Sequence, residues 1–322
     1  MSRFHVIATA SSDYPIDMVA FADGLGGVAD IESCSLPYGP MTQEEEGQAA
    51  VRLAGADGLF VRIGYLREGL IARLSRLKVI TLHGVGVDQV DVRAAAARGI
   101  IVTNVPGANA QAVAELTVAL MLAVLRRVCL ADARVRRGDW AGARFLGEEL
   151  EGKTLGLVGL GNIGRRVASL GQAFGMRLLA YDPHVASVPD GVELAGLEDL
   201  ISRADVISLH VPQTPDTEGL ISAERLRLAK PTAVLINTAR GPLVDETALA
   251  DALREGRLAG AGLDVHAQEP PDPSNPLLRL ENVVLTPHIG SSTKGALRNI
   301  ARRAGEDMAR VLRGEPPLHP VN

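Results

Sequence analysis

Residues 154–182 constrain the fold of this chain more than any other stretch. Thr154-Leu155-Gly156-Leu157-Val158 reads as a short buried strand that runs into Gly159-Leu160-Gly161-Asn162-Ile163-Gly164. A helical Arg165 to Leu170 follows, and the next strand-like run, Leu178 to Tyr181, ends at an acid, Asp182. A bare G-x-G-x-x-G match is weak. With a strand before it, a helix after it and an acid closing the next strand, it marks a βαβ unit that receives a dinucleotide pyrophosphate at its helix N-terminus. Gly159 permits the tight turn, Gly161 lets the backbone approach the phosphates, and Gly164 allows close packing of helix on strand. The helix start adds N–H groups and a positive dipole end. Asp182 is placed to accept hydrogen bonds from ribose hydroxyls and to repel a 2′-phosphate, so NAD is expected over NADP. Without the upstream glycines, Asp182-Pro183 would read as an ordinary strand-end turn.

Short apolar runs alternate with helical patterns over nearly the whole chain, the signature of an α/β fold with parallel sheets. In the first hundred residues strands are expected near Val6-Ile7, Gly58 to Val61, Val79 to Leu82 and Ile100 to Val102, with helices at Gly69 to Leu77 and Val92 to Arg98. Pro106-Gly107 breaks the pattern. From Asn109 to about Arg127 a helix apolar on most faces is expected, buried at a domain junction or a subunit interface. The second series has strands at Leu155 to Val158, Leu178 to Tyr181, Val206 to Leu209, Val234 to Asn237, Gly260 to Leu263 and Val283 to Leu285, the six of a complete dinucleotide-binding fold. A helix from Thr293 to Leu312 closes the chain before Pro316-Pro317.

At 322 residues the chain has the length of two domains. With 47% hydrophobic residues, only 3% aromatics and 34 glycines, its core must be built from Val, Leu, Ile and Ala, which suits sheets covered on both faces. A net charge of −5 argues against nucleic acid or an anionic membrane as partner. The longest apolar stretch, Ala112 to Leu125, carries Glu115 and is too short to span a bilayer. The start of the chain shows no signal-peptide pattern. Cys34 and Cys129 form neither a metal-like spacing nor a disulfide framework, which fits a cytoplasmic protein with no metal.

Three polar residues stand just beyond predicted strands downstream of the glycine turn. Asn237 leads to Arg240, Asp264 leads to Glu269, and Leu285 leads through Thr286-Pro287 to His288. Ligands gather at the carboxyl ends of such strands. The set fits reduction of a 2-keto acid, which needs a proton on oxygen as a hydride reaches carbon. Histidine is the side chain suited to shuttle that proton near neutral pH. A carboxylate beside it favours its protonated form, so Glu269 is expected to hold and orient His288. Arg240 can grip the substrate carboxylate and polarise the keto oxygen. Taken singly, each residue also reads as a turn, cap or packing residue; the conjunction after the glycine turn favours chemistry. Asp264 is expected near the nicotinamide, with a turn cap as its other reading.

The chain resembles the D-isomer-specific 2-hydroxyacid dehydrogenases over essentially its whole length. The resemblance rests on His83 to Asp88, Asn104-Val105-Pro106-Gly107, the 159–164 turn, Asn237 to Gly241, Asp264 with Glu269-Pro270, and Thr286 to Ser292. It implies a Rossmann-type NAD-binding domain, residues 104–288, inserted in a discontinuous flavodoxin-like substrate domain, residues 1–103 with 289–322. It also implies a cleft-borne active site and a homodimer. Arg240, Glu269 and His288 fall on catalytic positions. The backbone of Val85 and Gly86 falls on a loop that binds the substrate carboxylate, and Asn109 lies near the substrate. Asn162, Ile163, Pro212, Thr238 and Asp264 fall on cofactor-contacting positions.

Glutamate at 269, where formate dehydrogenases of the family carry glutamine, points to ordinary keto acid reduction. Arg62 matches a substrate-binding arginine of 3-phosphoglycerate dehydrogenases and could read a distal anionic group, although Ile63-Gly64-Tyr65 departs from that group's small polar residues. The chain ends at Asn322 without room for the regulatory domains of many such enzymes, so serine feedback is not expected. Two alternatives stand beside a dehydrogenase of small 2-keto or 2-hydroxy acids. One is 3-phosphoglycerate dehydrogenase itself, without a regulatory domain. The other is an NAD-sensing corepressor-like scaffold of the same fold, disfavoured by the lack of disordered tails. Trp140 could reach a partner subunit's pocket or serve as an apolar anchor.

Overall fold

A computed structural model describes residues 3–140, 142–185 and 187–322. The chain divides into two compact units, residues 1–109 with 292–322 and residues 110–291, each built on one parallel sheet. Most strands are four- or five-residue apolar runs buried along their length, which requires helices on both faces of each sheet.

The discontinuous unit holds β1 (Phe4–Thr9), β2 (Ala29–Cys34), β3 (Gly58–Val61), β4 (Val79–Leu82) and β5 (Ile101–Thr103) in the order β2-β1-β3-β4-β5. This is the flavodoxin-like order. The closing helix Lys294–Leu312, capped by Thr293, packs against helix Met18–Leu25 and strands β3 to β5. Two glycines set how closely these helices approach. A Cβ on Gly24 would lie 2.1 Å from the Arg302 carbonyl oxygen, and one on Gly305 would lie 2.5 Å from that of Phe21. Asp307 of the same helix is fully buried, and its carboxylate accepts the backbone N–H groups of Leu318 at 2.6 Å and His319 at 3.1 Å. This folds the C-terminal segment back, where Asn322 hydrogen-bonds the backbone at Ile100 and Val102.

The continuous unit holds β6 (Thr154–Val158), β7 (Arg177–Tyr181), β8 (Val192–Leu194), β9 (Val206–Leu209), β10 (Val234–Asn237), β11 (Gly260–Leu263) and β12 (Val283–Leu285). Their order is β12-β11-β10-β9-β6-β7-β8, a dinucleotide-binding arrangement extended by one edge strand. One face packs on helices Ala110–Leu125 and Asn162–Ala173; the other packs on Leu197–Arg203, Ala223–Leu226 and Glu246–Arg254.

Two strands depart from the sequence expectation: β2 in the first unit and β8 in the second, which makes seven strands where six were expected. Helix Ala110–Leu125, expected at a junction or interface, buries its apolar surface against helix Asn162–Ala173 and strands β10 to β12 of its own unit. The helix expected over 69–77 is a single turn, Glu68–Ile71. Among the described residues no helix is long and apolar enough to cross a membrane, and no cluster of three or more His, Cys, Asp or Glu side chains is placed to hold a metal ion.

Because the Gly305 contact is with backbone, a methyl group there cannot be accommodated by a rotamer change. Gly305→Ala is expected to destabilise the discontinuous unit by roughly 1–3 kcal/mol, the usual cost of overpacking. Urea denaturation followed by circular dichroism measures it; an unchanged midpoint would mean the two helices have slack.

Candidate active site

Parallel register brings the sequence-predicted residues of the continuous unit to one edge. Tyr181 lies opposite Val158, Val158 opposite Leu209, Leu209 opposite Asn237, Asn237 opposite Leu263, and Leu263 opposite Leu285. These six residues form a row across the sheet at the carboxyl ends of the strands. Immediately beyond it come Asp182, Gly159, His210, Thr238, Asp264 and Thr286. Arg240, Glu269 and His288 follow the three neighbouring strands β10, β11 and β12.

At the centre of the row, the glycine turn has the form expected. Gly159 sits at φ +100°, where a Cβ would be strained and would lie 2.7 Å from the His210 carbonyl oxygen. A Cβ on Gly164 would lie 2.1 Å from the Gly159 carbonyl oxygen, so that glycine seats the helix on the turn. Gly161 is different: a Cβ there would meet nothing within 4 Å. The protein's own packing gives no reason for its bareness, which keeps the approach to the helix start clear. Gly161 is the N-cap of Asn162–Ala173 and makes no side-chain cap hydrogen bond, so the N–H groups of this helix start have no side-chain acceptor from the cap. Asp182 is held beside the turn, one oxygen accepting Leu160 N–H at 2.8 Å and the other His184 N–H at 2.9 Å. The residues present therefore fit a dinucleotide.

Farther along the edge, three buried polar residues build the turns. Asn237, 1% exposed, donates to the Arg240 carbonyl at 2.8 Å and accepts from Ala239 N–H at 3.0 Å, closing the turn that presents Arg240. Arg240 Nη1 donates to the Ala239 carbonyl at 2.7 Å. Thr238 shares a hydroxyl–hydroxyl hydrogen bond of 2.9 Å with Thr117 of the long helix. Asp264 was expected against the nicotinamide. Its carboxylate is buried and accepts from protein donors: Thr286 Oγ1 at 2.6 Å and the N–H groups of Ile289 and Gly290, both at 2.8 Å. Its carbonyl accepts His288 N–H at 2.8 Å. Asp264 thus holds the turn that bears the histidine.

That turn is unusual. His288 has φ +53°, a left-handed conformation that a side-chain-bearing residue seldom adopts unless its surroundings enforce it. It sets the ring against Glu269, with Nδ1 2.8 Å from Oε2. Burial pushes the Glu269 carboxyl up, but the hydrogen bond and charge of His288, with the amide and ring of His266, outweigh it and hold the carboxyl below its usual range. The backbone N–H of His266 donates to Glu269 Oε1 at 3.2 Å. His266, only 7% exposed, was missed in the sequence; a histidine three residues before the expected acid was the available signal.

The discontinuous unit carries the other expected residues. Arg62 Nη1 lies 3.0 and 2.9 Å from the two ring nitrogens of His83, and its buried Nε has no partner. Burial lowers the Arg62 guanidinium to about 10; burial together with the Arg62 charge lowers His83 to about 3. The loop at Val85 and Gly86 is pinned through carbonyls, Val85 O accepting from Asn104 Nδ2 and Gly84 O from Val105 N–H. The buried Oδ1 of Asn109 has no partner. In the continuous unit, Pro212 follows β9 by three residues, its carbonyl accepting from Thr217 Oγ1 at 2.8 Å. His210 contacts Ser208 Oγ through Nε2 at 2.9 Å, and burial lowers it to about 3.

His83 and His210 are neutral in the folded protein and gain protons on unfolding below the ordinary histidine value of 6.5. Stability is therefore expected to fall as pH drops from 6.5 towards 3, because the unfolded chain binds more protons. Urea midpoints measured across that window should decline, and His83→Gln should flatten the decline. An unchanged slope would mean His83 is already protonated when folded.

The geometry agrees with comparisons with known proteins. Residues 118–290, which include every site residue from Gly159 to His288, match the family model described as D-isomer specific 2-hydroxyacid dehydrogenase, NAD binding domain. The chain is 46% identical to D-3-phosphoglycerate dehydrogenase of Methanocaldococcus jannaschii over 84% of its own length and 52% of the relative's. It is 48% identical to glyoxylate reductase of Thermofilum pendens over 76% of this chain and 75% of that one. The crystal structure of the TT0316 protein from Thermus thermophilus superposes with a TM-score of 0.88 at 40% identity, covering 99% of this chain and all of that one. The chain spans about half the length of the phosphoglycerate dehydrogenases it matches. It belongs to the D-isomer specific 2-hydroxyacid dehydrogenase family and carries that family's NAD-binding domain.

Proposed function

We propose that this protein is an NAD-dependent oxidoreductase interconverting a small 2-keto acid and the corresponding D-2-hydroxy acid, with His288 as general acid and base. The observation that carries the proposal is the 2.8 Å pair of His288 Nδ1 and Glu269 Oε2 on the sheet edge that also bears the glycine turn. NAD, held by the turn at Gly159, Gly161, Asn162, Ile163 and Gly164, by Asp182, and by the segments at Pro212, Thr238 and Asp264, supplies or accepts a hydride when bound. Glu269 engages Nδ1, which leaves Nε2 as the ring nitrogen that gives a proton to the substrate oxygen or takes it back. The Glu269 carboxylate on Nδ1 fixes the orientation of the ring. Arg240 offers a planar fork to the substrate carboxylate and the neighbouring oxygen. On the discontinuous unit, a substrate-binding role is assigned to the N–H groups of Val85 and Gly86 and to Asn109.

A second reading concerns substrate class. Arg62 keeps a buried, unpartnered Nε beside a neutral His83, which supports a role for its guanidinium in binding a distal anionic group, as in 3-phosphohydroxypyruvate. A homodimer is part of the proposal: Val128, Val135, Trp140 and Leu146 are exposed apolar residues along one stretch, surface that a second copy would cover. Cytoplasmic residence fits the free thiols of Cys34 and Cys129.

Two measurements test these readings. Absorbance assays with NADH and a panel of 2-keto acids should show turnover that His288→Ala lowers roughly 100- to 10,000-fold while the dissociation constant for NADH holds. The same assay with NADPH should give at least about tenfold lower kcat/KM because of Asp182; absence of any turnover would favour a scaffold. Arg62→Ala should raise KM for 3-phosphohydroxypyruvate about tenfold or more, the loss of a charge-assisted hydrogen bond, with little change for glyoxylate. Equal effects on both substrates would rule out the distal-anion role.

A further inference from the structure

His266 sits where the three segments bearing Arg240, Glu269 and His288 converge. The turn after Arg240 leans on its backbone: a Cβ on Gly241 would lie 1.9 Å from the His266 carbonyl carbon. Its own N–H donates to Glu269 Oε1 at 3.2 Å. Its ring reaches the base of the histidine turn, with Nε2 3.4 Å from the Thr286 carbonyl oxygen. A buried imidazole is costly without hydrogen bonds, and at 7% exposure this one lies between the carboxylate and the turn it serves.

Asp264 grips the far side of the same turn through Thr286 Oγ1 and the N–H groups of Ile289 and Gly290. His266 holds the near side through the Thr286 carbonyl. Asp264 fixes the turn to the sheet, and the His288–Glu269 side-chain pair joins it to the Glu269 loop. His266 supplies a second tie to that loop.

We propose that His266 is a positioning residue that locks the Glu269 carboxylate and the His288 turn into one unit, its ring N–H on the Thr286 carbonyl and its backbone N–H on Glu269. The importance of this lock for turnover rests on the proton-transfer reading above; the lock itself does not. Its consequence is that His288 keeps the tautomer with the proton on Nδ1. His266 touches neither reacting atom, so its effect falls on kcat and on the state of the His288 ring, not on cofactor binding.

The test compares the intact protein with His266→Phe, which keeps bulk but no donor, His266→Asn, whose amide falls short of the carbonyl, and His266→Gln, whose Nε2 can reach it. Histidine-selective 15N labelling gives the ring-nitrogen shifts of His288, assigned by their loss in His288→Gln. The intact protein and His266→Gln should show a single Nδ1-protonated tautomer, and His266→Phe and His266→Asn a mixture. With NADH and glyoxylate, kcat should fall about tenfold in the Phe and Asn variants at unchanged KM for NADH, and recover to within about twofold in Gln. An unaltered His288 tautomer in both disruptive variants overturns the proposal, as does its loss in all three, which would assign the effect to shape alone. If the ring shifts behave as stated but the intact protein reduces no 2-keto acid, the lock stands and the oxidoreductase reading falls.

Discussion

The site depends on parallel register. Because all seven strands of the continuous unit run the same way and pair residue for residue from Tyr181 to Leu285, every strand delivers its following residue to the same edge. A one-residue slip of β12 against β11 would turn its side chains to the opposite face and carry His288 away from Glu269. Register here is fixed by burial on both faces and by small residues where helices approach, such as Gly260 and Gly262 of β11 beneath Val124 and Leu120. The precision of a 2.8 Å contact between residues nineteen apart in sequence is thus inherited from the hydrophobic packing of the sheet.

Register alone does not orient a side chain on a loop. Buried polar residues at the strand ends do that: Asn237 closes the Arg240 turn, and Asp264 holds the His288 turn through four hydrogen bonds counting its carbonyl. Such groups are tolerated in the interior because each is satisfied. They also balance the left-handed backbone of His288, a conformation that would relax if its partners were removed.

What the sequence revealed follows from this division of labour. Central strands announce themselves as unbroken apolar runs, and the three chemical residues stand at fixed offsets beyond them. Two of the four edge strands, β2 and β8, do not. Ala29–Cys34 carries Asp30, Glu32 and Ser33, and Val192–Leu194 exposes Glu193 and Leu194, so neither shows a continuous apolar run. Helix Gln43–Leu53 was hidden by three consecutive glutamates, although Thr42 and Glu45 form the capping box that marks its start. Asp264 was legible as a strand-end acid, but its direction was not, because a carboxylate facing a ligand and one facing a backbone turn have the same sequence. His266 escaped for the same reason: a buried histidine is defined by its neighbours in space.

Among the histidines, surroundings decide which one can handle a proton. His83 and His210 are pushed to about 3, so near neutral pH they act only as hydrogen-bonding groups. His5 does meet a carboxylate, with Nε2 3.3 Å from Glu32, but near the amino end of β1, away from the edge where ligands gather. A histidine–carboxylate contact is therefore not a sufficient signature of catalysis. At His288 three conditions coincide: a carboxylate on one ring nitrogen, a position just past the carboxyl end of a strand, and a backbone conformation held against its own preference. Each is commonplace separately, and the folding of β10, β11 and β12 side by side supplies all three at once.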